Sequence, residues 1–291
     1  MERKRPSPPV SGAGCRDLRW TLHNAENVTL SGLYVYPIKS CAGVSLQGAD
    51  LSATGLRHDR RWMLVDETGE FMSQRAHPRM ALISVRFAPE RMIVSAPGMP
   101  ELEIPLRDET GNRIDVRVFG DTNKGELVGG EADRWFVEYL EFPCRLVHKP
   151  DDNPRLVDSS FAESGDQVSF ADGFAFLLIS EASLEDLNGR LEDSLPMNRF
   201  RPNFVVRGCE PYAEDGWSRL RIGSVPFRVA EPCPRCAITT VDQRTGARGK
   251  EPLRTLSTYR NTELGAVFGR NLIHDTLGTV RVGDPVETTP R

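Results

Sequence analysis

Short runs of apolar and β-branched residues, separated by turn residues, make up most of the chain from residue 30 onward. Residues 113–119 alternate between polar and apolar positions, which is the period of a half-buried strand. Asp, Gly and Pro interrupt these runs. Further strand-like runs cover residues 33–36, 62–65, 80–87, 92–94, 174–179, 203–206, 220–222, 227–229, 237–241 and 278–284. We expect the last of these to close the fold as a final barrel strand.

Helical patterns are fewer. Apolar positions recur on one face over residues 132–140, and again from Ser180, a suitable N-cap, to residue 192. A third stripe follows Pro252, which suits a first helical position. We interpret all three stripes as core packing. Many short strands with few helices predict a mixed, β-dominated fold, a β-barrel with helical insertions.

Length and local composition suggest how the chain is divided. At roughly 150 residues per domain, 291 residues predict two domains or one large β domain. Residues 1–28 are rich in Pro, Ser and Gly, which is typical of a flexible extension. A Pro- and Asp-rich stretch, residues 149–154, is the best internal boundary. We therefore expect a β-rich domain over residues 29–149 and a β-barrel domain over residues 150–291.

The charge balance excludes some functions. The net charge of -4 argues against a nucleic-acid-binding surface. No apolar stretch approaches the roughly 20 residues of a membrane span, so no membrane anchor is expected. The N-terminus lacks the apolar core of a secretory signal, which predicts a cytoplasmic protein. In that reducing compartment the six cysteines do not form a disulfide framework.

The C-x-x-C motif at Cys233 and Cys236 is the sharpest chemical feature. A structural zinc site needs further ligands, and no second pair follows. A redox pair would begin a helix, whereas residues 237–241 have a strand pattern. A thiolate beside Arg235 remains a candidate ligand for a soft metal, although composition alone favours two ordinary cysteines. In an extended segment Cys233 would face away from that ligand.

Basic residues recur where strands begin or end. Lys39 and Ser40, with a glycine shortly after them, suit a phosphate or another oxyanion. Arginines cluster before Trp62 over residues 57–61, and others precede the strand at residue 203. Arginine presents a planar fork of donors that matches phosphate and carboxylate. These segments are candidates to converge on one anionic ligand.

The order of the motifs identifies a family. The sequence contains, in this order, YPIKSC, DRRW, SEAS, RFRPN, YAED, PCPRC followed by TTVD, KEPL, FGRNL and VGDPV. This series, from about residue 30 to residue 286, resembles the MOSC-domain molybdenum enzymes, and among them the amidoxime-reducing components and their bacterial relatives. The resemblance implies a β-rich N-terminal MOSC subdomain, a MOSC β-barrel, and a molybdenum cofactor (Mo-molybdopterin) held between them.

The resemblance also implies roles for single residues. Cys236 matches the molybdenum-ligating cysteine, and Asp172 aligns with an acidic position near the metal, so both are catalytic candidates. Asn271 stands where some members have tyrosine, and Cys233 is not expected to bind metal. The implied cofactor-binding residues are Lys39, Ser40, Arg60, Arg201, Asn203, Arg235 and Asn271.

The implied activity is the reduction of N-hydroxylated small molecules, namely amidoximes, hydroxylamines and N-hydroxylated bases, to the amino forms. No cysteine cluster of a ferredoxin domain follows Cys236, so a separate electron-donor protein, cytochrome b5-like or ferredoxin-like with its reductase, is expected. The alternative is a molybdenum-cofactor carrier or sulfur-transfer module, because MOSC domains also occur fused to pyridoxal-phosphate enzymes that sulfurate this cofactor.

Overall fold

Strands form most of the regular structure, as the hydrophobic pattern predicted. The computed structural model of the chain describes residues 28–107, 110–157 and 160–291. The extension predicted over residues 1–28 lies, apart from Val28, outside the described residues. The strands in chain order are β1 (Thr29–Val35), β2 (Val44–Ser45), β3 (Gly48–Ser52), β4 (Gly55–Leu56), β5 (Trp62–Val65), β6 (Ser84–Ala88), β7 (Arg91–Ser95), β8 (Leu102–Pro105), β9 (Arg113–Val118), β10 (Asp121–Leu127), β11 (Arg145–His148), β12 (Arg155–Leu156), β13 (Gln167–Val168), β14 (Phe176–Ser180), β15 (Phe204–Arg207), β16 (Trp217–Ile222), β17 (Val225–Pro234), β18 (Asn261–Thr262), β19 (Gly265–His274), β20 (Thr279–Arg281) and β21 (Val286–Pro290).

The helices match the predicted stripes. Within the described residues they are α1 (Gly130–Leu140), α2 (Glu181–Asn188) and α3 (Leu253–Tyr259), with 3-10 helices at Pro78–Leu82, Met197–Arg199, Ala213–Gly216 and Ala237–Thr240. The Ser180 hydroxyl caps α2 by accepting from the Ser183 N–H at 3.0 Å. α2 ends at Asn188, earlier than the predicted residue 192.

A nine-stranded sheet holds the fold together in the order β2-β1-β15-β14-β19-β17-β16-β21, with β18 beside β19. Its pairs are antiparallel except β14 with β15. Strand β1, from the first part of the chain, pairs with β15, so that Leu33 faces Phe204. The packed rings of Phe176, Phe204 and Phe227, with centroids 5.1–5.4 Å apart, fill the core behind this sheet.

A second core lies among the smaller sheets. Strands β5, β11, β10 and β9 form one sheet, and β6, β7 and β8 form another. Trp135, Phe136 and Tyr139 are buried on one face of α1 and pack in this core. The stripe over residues 132–140 was therefore correctly interpreted as core packing.

The strand predicted over residues 237–241 is wrong, because a 3-10 helix occupies Ala237–Thr240. Thr239 Oγ1 donates to the Cys236 carbonyl at 3.0 Å, and Thr240 Oγ1 donates to the Ala237 carbonyl at 2.8 Å. Such local hydroxyl-to-backbone bonds compete with strand pairing and outweigh the β propensity of threonine here. Cys236 consequently precedes a helical turn and not a strand.

The predicted final barrel strand over residues 278–284 is also wrong. Only β20 forms there, and it pairs with β3 outside the large sheet, while β21 is the last strand. Gly283 has φ +95°, and Asp284 Oδ2 accepts from the Arg281 N–H at 2.7 Å, so a turn ends β20.

Candidate functional site

One end of the large sheet opens into a cleft of about 260 Å³. β1 ends beside the start of β15, Asn271 in β19 faces Leu177 in β14, and Pro232 in β17 faces Arg270. Segments distant in sequence therefore meet at this edge. We name it the cysteine cleft. All the residues to which the family resemblance gave a role line it, namely Lys39, Ser40, Arg60, Asp172, Arg201, Asn203, Arg235, Cys236 and Asn271. Of the arginine cluster over residues 57–61, Arg60 lines it, but Arg57 and Arg61 do not.

Lys39 is a buried cation at one side of the cysteine cleft. Its Nζ donates to the Phe170 carbonyl at 2.7 Å and forms an ion pair with Asp172. Burial lowers the pKa of Lys39, and Asp172 opposes that shift. Desolvation within the cleft would raise the pKa of Asp172, but Lys39, with Arg60 and Arg75, outweighs it and holds the pKa below its usual range. The Asp172 side chain is 66% exposed, so an ionised carboxylate stands at the opening.

Two guanidinium groups lie against the ring of buried Tyr36. The central carbon of Arg60 is 4.7 Å from the ring centroid, and that of Arg201 is 4.2 Å from it. Arg60 pairs with buried Asp59, and Arg201 Nη1 donates to the Cys41 carbonyl at 2.6 Å. Burial lowers the pKa of Arg60, but Asp59 outweighs it and raises the pKa overall. Both cations are thus held in place by the protein.

Asn203 connects the cleft with the strands below it. Its Oδ1 accepts from Arg60 Nη1 at 3.1 Å and from the Leu177 N–H at 3.3 Å, and its Nδ2 donates to the Tyr34 carbonyl at 3.1 Å. These bonds satisfy the buried amide and fix its orientation. Asn203 therefore acts here as a connection between β1, β14 and the Arg60 side chain.

Three cleft residues have left-handed backbone conformations. The φ angles are +67° at Ser40, +48° at Arg60 and +57° at Arg201. Residues other than glycine rarely adopt such angles, and strained backbone clusters at functional sites. The surrounding bonds, such as Gln74 Nε2 donating to the Ser40 carbonyl at 2.7 Å, hold these turns.

The two cysteines differ in their arginine partners, and here the sequence-based expectation is wrong. Arg235 Nη1 donates to Cys233 Sγ at 2.9 Å, whereas Arg75 Nη1 donates to Cys236 Sγ at 3.6 Å. Both cysteines line the cysteine cleft, so Cys233 does not face away. The reason is that β17 is irregular at Pro232 and Pro234, where the register with β19 shifts. Burial raises the pKa of the Cys233 thiol, and Arg235 opposes the shift.

Arg75 was missed in the sequence. It precedes the 3-10 helix Pro78–Leu82 and lies over the rings of Phe71 and Phe119, with its central carbon 5.6 and 5.1 Å from their centroids. No motif marks it, because it is distant from Cys236 along the chain. Its position beside the thiol depends entirely on how the smaller sheets pack against the large one.

The cysteine pair lacks the surroundings of a zinc site. In the described part of the chain, no group of three or more His, Cys, Asp or Glu side chains could hold a metal ion. A structural zinc ion needs four protein ligands. A metal that brings sulfur ligands of its own on an organic cofactor needs a single protein thiolate instead.

Two family models together match most of this chain. The model of the MOSC N-terminal beta barrel domain matches residues 27–143, and that of the MOSC domain matches residues 165–287. Mitochondrial amidoxime reducing component 2 of Bos taurus is 38% identical over 89% of this chain and 82% of its own length. Mitochondrial amidoxime-reducing component 1 of Mus musculus is 39% identical (89% and 81%), and that of Homo sapiens is 37% identical (89% and 82%).

The predicted cytoplasmic location is wrong by this comparison, since these relatives are named as mitochondrial proteins. The prediction used the lack of an apolar N-terminal segment, and such a lack does not specify a compartment. Among the described residues, no helix is long and apolar enough to cross a membrane.

Proposed function

Because the chain belongs to the MOSC-domain family that includes the amidoxime-reducing components, we propose that it reduces N-hydroxylated small molecules to their amino forms. It is an oxidoreductase, and its cofactor is the molybdenum cofactor. The proposed substrates are amidoximes, hydroxylamines and N-hydroxylated bases. The observation that supports this proposal best is the cysteine cleft, where two thiols and several buried cations face the same space.

The residues of the cysteine cleft fit a molybdenum-pterin. A cysteine thiolate is a soft ligand that suits molybdenum, and the cofactor's phosphate suits a cationic pocket. Arg235 Nε is buried and has no partner among the described residues, so it is free to donate to a bound group. We propose that Cys236 is the metal ligand and that Lys39, Ser40, Arg60, Arg201, Asn203, Arg235 and Asn271 hold the pterin.

When bound, the cofactor supplies a redox-active metal that exchanges electron pairs. The protein's own contribution is orientation, charge and protons. Phe174, Phe176 and Phe200 line the cysteine cleft and reduce its contact with water. Arg60 and Arg201, fixed by Tyr36, supply positive charge that needs no rearrangement on binding.

Breaking the N–O bond takes up an electron pair and protons and releases water. We propose that Asp172 handles these protons together with Lys39. Asp172 is an ionised carboxylate at the cleft opening, paired with Lys39, so it can pass protons from solvent acids to the Lys39 ammonium group. Lys39 Nζ, whose pKa is lowered by burial, is the adjacent group that can donate one. The electrons come from a separate donor protein, cytochrome b5-like or ferredoxin-like with its reductase.

The test is turnover of an amidoxime. The protein is produced in a host that makes the molybdenum cofactor, supplied with a chemical electron donor and benzamidoxime, and assayed for benzamidine. We expect turnover in proportion to bound molybdenum, and none from protein made in a cofactor-deficient host. Protein with a full complement of molybdenum and no turnover of any N-hydroxylated substrate would instead indicate the carrier or sulfur-transfer module.

A further inference from the structure

A second cavity, of about 820 Å³, lies on the other side of the segment that contains Arg60. Arg60 lines the cysteine cleft, whereas its neighbour Arg61 lines this second cavity. We name it the basic cavity. Its walls come from the β3–β4 hairpin, the residues after β8, the end of β11 and strand β13. The charged and titratable residues that line it are Arg57, His58, Arg61, Arg107, His148, Lys149, Asp151 and Arg155.

Positive charge in the basic cavity exceeds the negative charge that faces it. Arg61 Nη2 pairs with Asp151 at 2.5 Å, and Arg155 pairs with Asp121 at 3.0 Å. Lys149 and Arg57 form no ion pair with any of the described residues. One carboxylate therefore faces several cations among the lining residues.

Lys149 is a buried cation of this cavity without a directly paired carboxylate among the described residues. It is 1% exposed, and its Nζ donates to the backbone carbonyl and to Oδ1 of Asn153, which are neutral oxygens. Burial, together with Arg61 and Arg155, lowers its pKa to about 8 against the opposing effect of Asp151 and Asp152. Burying a cation without a directly paired carboxylate costs free energy, which a bound anion would offset.

The pKa values of the two histidines in the basic cavity are lowered by burial and by the surrounding arginines. Burial, together with Arg57, Arg61 and Arg107, lowers the pKa of His58 to about 4. The pKa of His148 is likewise about 4, through burial and then Arg61. Both imidazoles are neutral at neutral pH, so each offers an N–H donor without adding to the repulsion. They flank the buried Trp62, His148 at 4.9 Å and His58 at 6.2 Å between ring centroids.

We propose that the basic cavity binds a small, multiply charged oxyanion, that is, a molecule with phosphate or clustered carboxylate groups. Arginine forks bind such groups through paired hydrogen bonds. The volume is within the roughly 300–1,000 Å³ of small-molecule sites. This proposal does not depend on the reaction assigned to the cysteine cleft, because the two sites are lined by different residues.

The experiment is calorimetric titration of the cofactor-loaded full chain with pyrophosphate and with citrate, at constant ionic strength maintained with chloride. We expect saturable binding of one anion per chain. Arg57→Ala should weaken it at least about tenfold, a loss of one charge-assisted contact. Lys149→Met should weaken it as well, with thermal unfolding used to check that the variant folds. Arg86→Ala, which removes an exposed arginine paired with Glu101, is the matched control and should bind normally.

Histidine resonances locate the anion independently. The chain has five histidines, so a histidine-labelled sample gives a short list of signals. Those of His58 and His148 should move on titration, and those of His77 and His274 should not. Tighter binding of pyrophosphate than of citrate identifies the ligand class as phosphates, and the reverse order identifies carboxylates. The proposal is overturned if neither anion binds above chloride, if Arg86→Ala weakens binding as much as Arg57→Ala, or if the anion displaces cofactor while His58 and His148 stay unmoved.

Discussion

Arg60 lines the cysteine cleft and its neighbour Arg61 lines the basic cavity, but the buried lysines of the two sites have different partners. In the cysteine cleft, Lys39 pairs with Asp172, and Arg60 pairs with Asp59. In the basic cavity, Arg61 and Arg155 are paired with carboxylates, whereas the Lys149 ammonium group donates to neutral oxygens alone. The cysteine cleft also contains the left-handed residues Ser40, Arg60 and Arg201.

The difference shows two ways of preparing a site for an anion. Where the protein supplies counter-charges and fixed side chains, the site keeps its geometry without a ligand, which suits a resident cofactor. Where buried charge lacks a partner, ligand binding contributes stability to the protein, which suits an exchangeable ligand. The following predictions test this contrast.

The largest effect is expected at the two cysteines. Cys236→Ser should reduce turnover at least about a hundredfold and change the Mo(V) paramagnetic resonance spectrum, because it removes the proposed thiolate ligand. Molybdenum content should remain, since the basic residues still hold the pterin. Cys233→Ser should keep most of the activity, because its hydroxyl can accept from Arg235 as the thiol does. Equal loss of metal in both variants, or one equivalent of zinc in place of molybdenum, would falsify the assignment.

Arg201→Ala should destabilise the protein by about 2 kcal/mol, since a buried charged hydrogen bond and a cation–π contact are lost. Denaturant unfolding of the cofactor-free protein measures this. Arg207→Ala, at an exposed position of β15, is the control and should change stability by less than about 0.5 kcal/mol. If Arg201→Ala and Arg207→Ala lower the free energy of unfolding equally, the contacts of Arg201 do not hold it in a fixed position.

Arg75→Met should lower turnover about tenfold, because it removes a positive charge beside Cys236 while keeping similar bulk. The Mo(V)/Mo(IV) potential should fall, since a nearby cation favours the more electron-rich state. Arg79→Met removes an exposed arginine paired with Glu141 and should leave the potential unchanged. If the potential of Arg75→Met is unshifted, Arg75 does not act on the metal electrostatically, and its role is packing against Phe71 and Phe119.

The smallest effect is a shift in pH dependence. Asp172 opposes the burial that lowers the pKa of Lys39, so Asp172→Asn should lower that pKa further. The alkaline limb of the kcat/KM profile should then move to lower pH, with a few-fold loss of activity at neutral pH. Asp115→Asn breaks the surface pair with Lys124 and should not move the profile. An unchanged profile and turnover in Asp172→Asn exclude the proton-handling role.

The sequence predicted the cysteine cleft far better than the basic cavity. Several segments of the cysteine cleft have a local motif, such as the C-x-x-C at Cys233 and Cys236 or the Lys39–Ser40 turn, whereas Asp172 was implied by the family resemblance alone. The basic cavity was marked by the arginine cluster at residues 57–61 alone. Lys149 was interpreted as part of a domain boundary because of the Pro- and Asp-rich stretch around it. In the structure it is buried, and its N–H donates to the carbonyl of the distant Arg61.

The β-dominated fold and the three helical stripes follow from the sequence through local periodicity and capping, which are properties of neighbouring residues. The set of residues in the cysteine cleft was implied by the resemblance of the ordered motifs to the MOSC-domain enzymes. The tertiary structure alone decided that Arg235 contacts Cys233, that Arg75 contacts Cys236, and that Arg60 and Arg61 line different sites. Such pairings depend on strand register, on irregularities in β17 and on left-handed turns, and these are set by contacts between segments that are distant in sequence.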